Sequence, residues 1–242
     1  MKRSNRTTRA TPRRSPAIAL AALVVFLGVV LVAQLTPGRD PLAAPSPSTG
    51  AASTGAVDEF AFVRRDQDDP MALGSVAAPV VLVQWTDMRC PYCAVFNRDT
   101  LPVLTKDYVD TGKVRIEIHD VAYFGEQSEG AAVAARAAGR QGKFFEYLRA
   151  VYAFAPEHKH PDLPREKLIA FARKADVADI NRFTADLDDP RLRAEVQDNT
   201  TSAQQLGVSS VPFFVAGKTA LSGAQPLDVF RAFLDDALTK AR

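Results

Sequence analysis

Apolar and polar positions divide the chain into stretches of different period. From Ala17 to Leu35 the run AIALAALVVFLGVVLVAQL is broken by one polar residue, Gln34. As a helix it would extend about 28 Å, close to the ~30 Å hydrocarbon core of a bilayer. A removable signal sequence usually has a shorter apolar region, roughly 7–15 residues. No clean A-x-A cleavage site follows, although PLAAPSP leaves cleavage open. The expectation is a transmembrane anchor over 17–35, with a signal sequence as the alternative. Residues 36–57 are rich in Pro, Ala, Ser, Thr and Gly, cannot offset the entropy of folding, and read as a flexible linker.

Folded sequence begins near Asp58. PVVLVQW, Pro79 to Trp85, is the nearly continuous β-branched and aromatic run of a strand covered on both faces, and it leads straight to Cys90. From Pro91 to about Tyr108 the period turns helical, with Pro91 suited to a first turn and Pro102 expected to kink the middle. KVRIEIHDV, Lys113 to Val121, alternates Val114, Ile116 and Ile118 against polar neighbours and predicts a second strand.

A helical block follows. Ser128 is expected to cap an alanine-rich helix that ends near Gly139, and KFFEYLRAVY places Phe144, Phe145, Leu148, Val151 and Tyr152 on one face. Further helices are expected at 165–174, at 178–187, and from Pro190, where Asp189 caps and Leu192, Val196, Ala203 and Leu206 form a stripe. These stripes read as core. Strands return in SVPFFVAGKTALSG, with a hairpin turn at Ala216, Gly217 and Lys218, and the chain closes on a helix whose Leu227, Phe230, Phe233, Leu234 and Leu238 face inward. The class is α/β, with a helical insertion at about 122–206 dividing the sheet-forming pieces.

The formal charge of +2 hides an asymmetry. Lys2, Arg3, Arg6, Arg9, Arg13 and Arg14 precede the first acid, Asp40, so residues 1–16 form a basic tail that stays cytoplasmic. The domain over 58–242 is then extracytoplasmic on a single-pass anchor. From Asp58 onward 23 basic and 27 acidic residues leave −4, which argues against nucleic acid as a partner.

Both cysteines of the chain, Cys90 and Cys93, lie in DMRCPYCAVF. A structural zinc site needs four ligands, and the only further candidates are His119, His158 and His160; PEHKHPD reads as a solvated, proline-bounded loop. An iron–sulfur cluster lacks ligands. A purely structural disulfide across so short a loop constrains the unfolded chain little. No metal and no other cofactor is expected. Redox chemistry uses the neighbouring features, because a cysteine on a strand-to-helix turn meets unpaired N–H groups and the dipole, which favour a thiolate. Cys90 is then the exposed nucleophile and Cys93, one turn inward, the resolving cysteine. Arg89 either adds positive potential there or is a solvated side chain. Trp85 reads as core.

The segments VVLVQWTDMRCPYC, LPVLTKDYVDTGKVRIEI and GEQSEGAAVAARAAGRQGKFFEYLRAVY resemble a DsbA-like thiol–disulfide oxidoreductase of the thioredoxin-fold superfamily, over essentially all of 58–242. The resemblance implies a thioredoxin fold with an inserted helical domain. It also implies a cis-proline facing the cysteines, at Pro212, preceded by a substrate-contacting residue, Val211. One departure is Gln84, where the family commonly has a buried glutamate; proton transfer at Cys93 then falls to Asp87, to water or to no side chain.

Val211 resembles the oxidase branch, whereas isomerases commonly carry Thr there, and Arg89 stands where membrane-tethered reductases place Trp. Pro91 and Tyr92, between the cysteines, supply a hydroxyl and no cation. By resemblance the protein is a monomeric oxidase that donates the Cys90–Cys93 disulfide to exported cysteine-containing proteins and is recharged by a quinone-linked membrane partner. A reductase or isomerase in the same compartment, and a non-redox chaperone, are the alternatives.

Overall fold

The computed structural model describes residues 61–241. The expected basic tail, anchor and linker lie outside the described residues; among those described, no helix is long and apolar enough to cross a membrane.

Five strands form one sheet: β1 (Ala72–Leu73), β2 (Val80–Thr86), β3 (Val114–Asp120), β4 (Phe213–Ala216) and β5 (Thr219–Ser222), in the spatial order β1-β3-β2-β4-β5. β2 pairs parallel with β3 and antiparallel with β4, so it is bonded on both edges and all seven of its residues are buried. That central place suits the nearly continuous β-branched and aromatic run. Because successive side chains alternate, β2 serves two cores. Val80 and Leu82 join Met88, Phe96, Phe214 and Phe230, while Val81, Val83 and Trp85 pack with Val121, Ala203 and Val208 on the other face. Each fully buried Val or Leu contributes roughly 1.5–3 kcal/mol.

β3 departs from its expected polar alternation, since Arg115, Glu117 and His119 are buried along with the apolar positions. The segment before β1 covers this face. Glu117 accepts the backbone N–H groups of Arg64 and Arg65 at 2.8 Å and pairs with Arg115 Nε at 2.7 Å. Arg115 in turn donates to the carbonyls of Gly74 and Asp66. A buried ion pair of this kind is tolerated because hydrogen bonds satisfy its remaining atoms.

The expected kink at Pro102 takes the form of widened turns. α1 (Pro91–Val95) and α2 (Leu101–Leu104) are joined by a π-helical turn at Phe96–Thr100, and a second follows at Thr105–Val109. π-turns are a recognised way to accommodate an interrupted i→i−4 ladder, and Pro102 has no N–H to give.

Between β3 and β4 come α3 (Glu126–Gly139), α4 (Phe144–Phe154), α5 (Arg165–Lys174), α6 (Ile180–Asp186) and α7 (Pro190–Gln205); α8 (Leu227–Lys240) closes the chain. Asp189 caps α7 as expected, accepting from the N–H of Arg191. Two details differ. Ser128 does not cap α3: Gly125 precedes that helix at φ +83°, ψ −166°, a region open to glycine, and Ser128 sits inside the helix. Leu206 follows the last turn of α7 and is 53 % exposed, so it leaves the buried stripe. The hairpin turns at Gly217 and Lys218, where Gly217 adopts φ +57° and Ala216 faces Thr219. In α8, Phe230, Phe233 and Leu234 are buried as expected, together with Ala237.

Candidate active site

Strand β2 ends at Thr86, and the turn from Asp87 to Arg89 brings the chain to Cys90 at the N-cap of α1. Pro91 takes the first helical position, where a missing N–H costs nothing. Cys90 Sγ accepts the N–H of Cys93 at 3.3 Å. Both cysteines are free thiols. Cys90, expected to be exposed, is only 2 % accessible, against 0 % for Cys93. The loop before β4 accounts for the difference: the Val211–Pro212 peptide is cis, and in its thiol form Cys90 donates to the Val211 carbonyl at 3.4 Å. The structure therefore brings Val211 and Pro212 to the sulfurs, where the resemblance had placed them. Tyr92 projects outward, 61 % exposed.

The two thiols are driven apart in acidity. Cys90 is held below its ordinary value, chiefly by the hydrogen bond from the Cys93 thiol, which outweighs burial; the N–H groups of Cys93 and Tyr92 add to it, and Asp87 opposes. Burial, followed by the hydrogen bond and the charge of Cys90, pushes Cys93 well above its ordinary value. The outer sulfur is thus the first of the pair to ionise and the inner one the last, the order that thiol exchange requires.

Arg89 is not a solvated side chain. Its guanidinium donates to the carbonyls of Pro161 at 2.9 Å and Phe124 at 2.6 Å, fastening the turn to the inserted helical block. His160, read from sequence as part of a solvated loop, completes this fastening: its Nδ1 lies 3.0 Å from the Arg89 carbonyl and its ring stacks on Phe124 at 4.0 Å.

Asp87 is fully buried and acts as a staple. It accepts from the N–H of Arg89 at 2.8 Å, the hydroxyl of Ser128 at 2.8 Å and the N–H of Tyr123 at 2.7 Å. Burial raises its pKa, against those three bonds. Ser128, expected as a helix cap, is spent on this carboxylate. Gln84 is also fully buried, with neither amide atom hydrogen-bonded. Thr86 and Tyr152 were missed as site residues: Tyr152 read as a core aromatic, and only the fold brings its hydroxyl to the end of β2. Among the described residues there is no cluster of three or more His, Cys, Asp or Glu side chains able to hold a metal.

With this geometry in view, the family model described as thioredoxin matches residues 66–236. The chain belongs to the thioredoxin family. Its likeness extends to the probable disulfide bond formation protein D of Bacillus cereus, 28 % identical over 153 residues that make up 62 % of this chain and 71 % of that one. BdbD from Bacillus subtilis, in its oxidised crystal structure, shares the fold at a TM-score of 0.65, with 22 % identity over 71 % of this chain and 94 % of that chain. The Na(+)/H(+) antiporter NhaA 3 of Salinispora tropica is 29 % identical over 227 residues that make up 92 % of this chain and 32 % of that one. This thioredoxin-family chain thus has a DsbA-like α/β fold with a helical insertion, and the Cys90–Cys93 pair lies at the junction of the two.

Proposed function

We propose that this protein is a thiol–disulfide oxidoreductase acting on cysteine-containing proteins, and that it works as an oxidase, transferring the Cys90–Cys93 disulfide to them. The observation that carries the proposal is the place of Cys90 at the N-cap of α1, its sulfur accepting the Cys93 N–H, an arrangement that lowers the Cys90 pKa while burial raises that of Cys93. Stabilising the thiolate of the reduced form makes the disulfide a stronger oxidant. The names of the Bacillus relatives point the same way.

A substrate thiolate attacks Cys90 Sγ, the bond between the two sulfurs breaks, and the electron pair remains on Cys93. A second substrate thiolate then attacks the sulfur bonded to Cys90 and expels Cys90 as a thiolate. The substrate has lost two electrons and the protein has gained them. A cleft of about 530 Å³, bordered by Tyr123, Phe124, Val208, Ser210 and Val211, reaches the residue whose carbonyl meets Cys90 and offers room for an extended substrate segment. Pro212 has no N–H to compete at the sulfur, and the Val211 carbonyl supplies an acceptor for a substrate backbone N–H.

The setting belongs to the same proposal: an extracytoplasmic domain, 58–242, on the anchor at 17–35, acting on exported proteins and reoxidised by a quinone-linked membrane protein. Tethering both in one plane raises their effective concentration. The test is the reduction potential of Cys90–Cys93, equilibrated against glutathione and read by thiol alkylation. Known poises run from about −120 mV for a strong oxidant to about −270 mV for thioredoxin. A value near the first supports the oxidase; one near the second makes the protein a reductase. Full client folding by the Cys90→Ser, Cys93→Ser double variant would replace enzyme by chaperone.

A further inference from the structure

Near Cys93, at the end of β2, lie two hydroxyl groups from different parts of the fold. Thr86 is the last residue of β2, and its Oγ1 is 2.7 Å from the phenolic oxygen of Tyr152, on α4 of the helical block. The Tyr152 hydroxyl also reaches the carbonyl oxygen of Asp87 at 3.1 Å. Thr86, Tyr152 and Cys93 are all inaccessible to solvent. The Thr86 hydroxyl, bonded to Tyr152 in this arrangement, stands near enough to the Cys93 sulfur to favour its ionised form, and the Tyr152 phenol feels the charge of Cys93. Buried hydroxyls are expensive unless partnered, and these have partners in two arrangements.

When Cys93 holds its proton, Thr86 O–H donates to Tyr152 and Tyr152 O–H donates to the Asp87 carbonyl. When Cys93 carries charge, Thr86 O–H turns to the sulfur and Tyr152 O–H turns to Thr86 Oγ1. We propose that Thr86 and Tyr152 form a switchable donor pair that stabilises Cys93 as the leaving group of thiol–disulfide exchange, Thr86 touching the sulfur and Tyr152 acting through Thr86 as a positioning residue.

This rests on the thiol–disulfide reading above and deepens it. In the first step of oxidation the bond between Cys90 and Cys93 breaks, a new bond joins Cys90 to the substrate sulfur, and the electron pair stays on Cys93 in a site closed to water. A donor already aimed at that sulfur is worth most in the transition state. Afterwards Cys93 takes a proton released by the substrate thiols, and the hydroxyls turn back. Since the resting disulfide and the resting thiol both lack charge on Cys93, the pair acts on rates in both directions and not on the equilibrium between them. The inserted helical block thereby contributes a group to the chemistry of the pair.

The test uses the full chain. Oxidised protein is mixed with a reduced dithiol peptide, reduced protein with the same peptide oxidised, and both rates are followed by acid quench and alkylation. Thr86→Val preserves shape and leaves Tyr152 bonded to the Asp87 carbonyl. It is expected to slow both directions about tenfold, the scale of one hydrogen bond to a charged group, with their ratio unchanged.

Thr86→Ser restores the rates to within about twofold. Tyr152→Phe slows both directions by less than Thr86→Val, and the double variant is no slower than Thr86→Val alone. Should Thr86→Val not fold, Tyr152→Phe with its unchanged ratio carries the test. Variant rates equal to wild type, a shift confined to the ratio, or losses that multiply in the double variant overturn the proposal while leaving the redox reading intact. A wild-type chain inert toward the dithiol peptide overturns both.

Discussion

Replacing Gln84 by methionine is expected to stabilise the protein, against the usual direction of core substitutions. Gln84 lies at the middle of the sheet, between Ile118 of β3 and Phe214 of β4, and all three residues are fully buried. Its amide finds no hydrogen-bond partner at either Nε2 or Oε1. A buried polar atom without a partner costs about 1–3 kcal/mol, and here there are two. Gln84→Met keeps the unbranched length and nearly the volume of the side chain, so the packing change is limited to under about 1.5 kcal/mol. The net expectation is about 1–3 kcal/mol in favour of the variant. At roughly 2–4 °C per kcal/mol for a domain of this size, Tm rises by about 2–12 °C. Urea unfolding of the oxidised and reduced forms measures it, with equal slopes required so that the midpoints compare stability alone. A variant less stable by 1 kcal/mol or more would refute the reasoning, because the amide would then have to be hydrogen-bonded in solution.

Three further outcomes follow from the same geometry. Arg89→Ala removes the donors to Pro161 and Phe124 and is expected to cost about 1–3 kcal/mol in chemical denaturation, while the alkylation rate of Cys90 stays within about threefold; a tenfold slower thiol at unchanged stability would restore Arg89 as an electrostatic activator. Arg115→Met leaves the buried Glu117 carboxylate without its cation and should cost about 3–5 kcal/mol, and a loss under 1 kcal/mol would show that the Arg64 and Arg65 N–H groups suffice. The reduced protein should gain stability over the oxidised one with rising pH. The folded Cys90 pKa lies below its ordinary value of 9.0, so its contribution is complete above the unfolded pKa and is lost as pH falls through the folded one. A stability difference between the two forms that is flat from pH 4 to 9 would contradict the lowered pKa. Cys93, shifted the other way, titrates above that window.

Much of the scaffold was legible because its signals are local. The β-branched run of β2, Pro91 after Cys90, the Asp189 cap and the glycine turn at Gly217 each state their structure within a few residues. What escaped depends on partners far along the chain. The polar residues of β3 looked solvent-facing because the segment that covers them, around Arg64 and Arg65, lies some 50 positions earlier. Ser128 carried a cap signal, yet the buried Asp87 claims its hydroxyl. His160 and Tyr152 reach the cysteine turn only because the helical block folds back on it, and no spacing in the sequence announces that return. Gln84 was noticed as a departure from its family; that its amide goes unpartnered is a property of the packed strand around it.

The position of Trp85, the chain's single tryptophan, decides what fluorescence can see. It points to the face of β2 opposite Thr86, among Phe62 at 5.3 Å, His119 at 5.4 Å and Phe213 at 6.0 Å. The sheet therefore stands between the indole and the two sulfurs. Quenching by a neighbouring disulfide, the usual optical signal of such pairs, has no direct path to this ring. Its emission reports instead on how the first described residues and the end of α7 dock on the far face. His119 there is pushed down to about 4 by burial, so its ring is neutral well above that pH. Fluorescence and thiol labelling become two independent channels in one experiment, the first for packing beyond the sheet and the second for the bond in front of it.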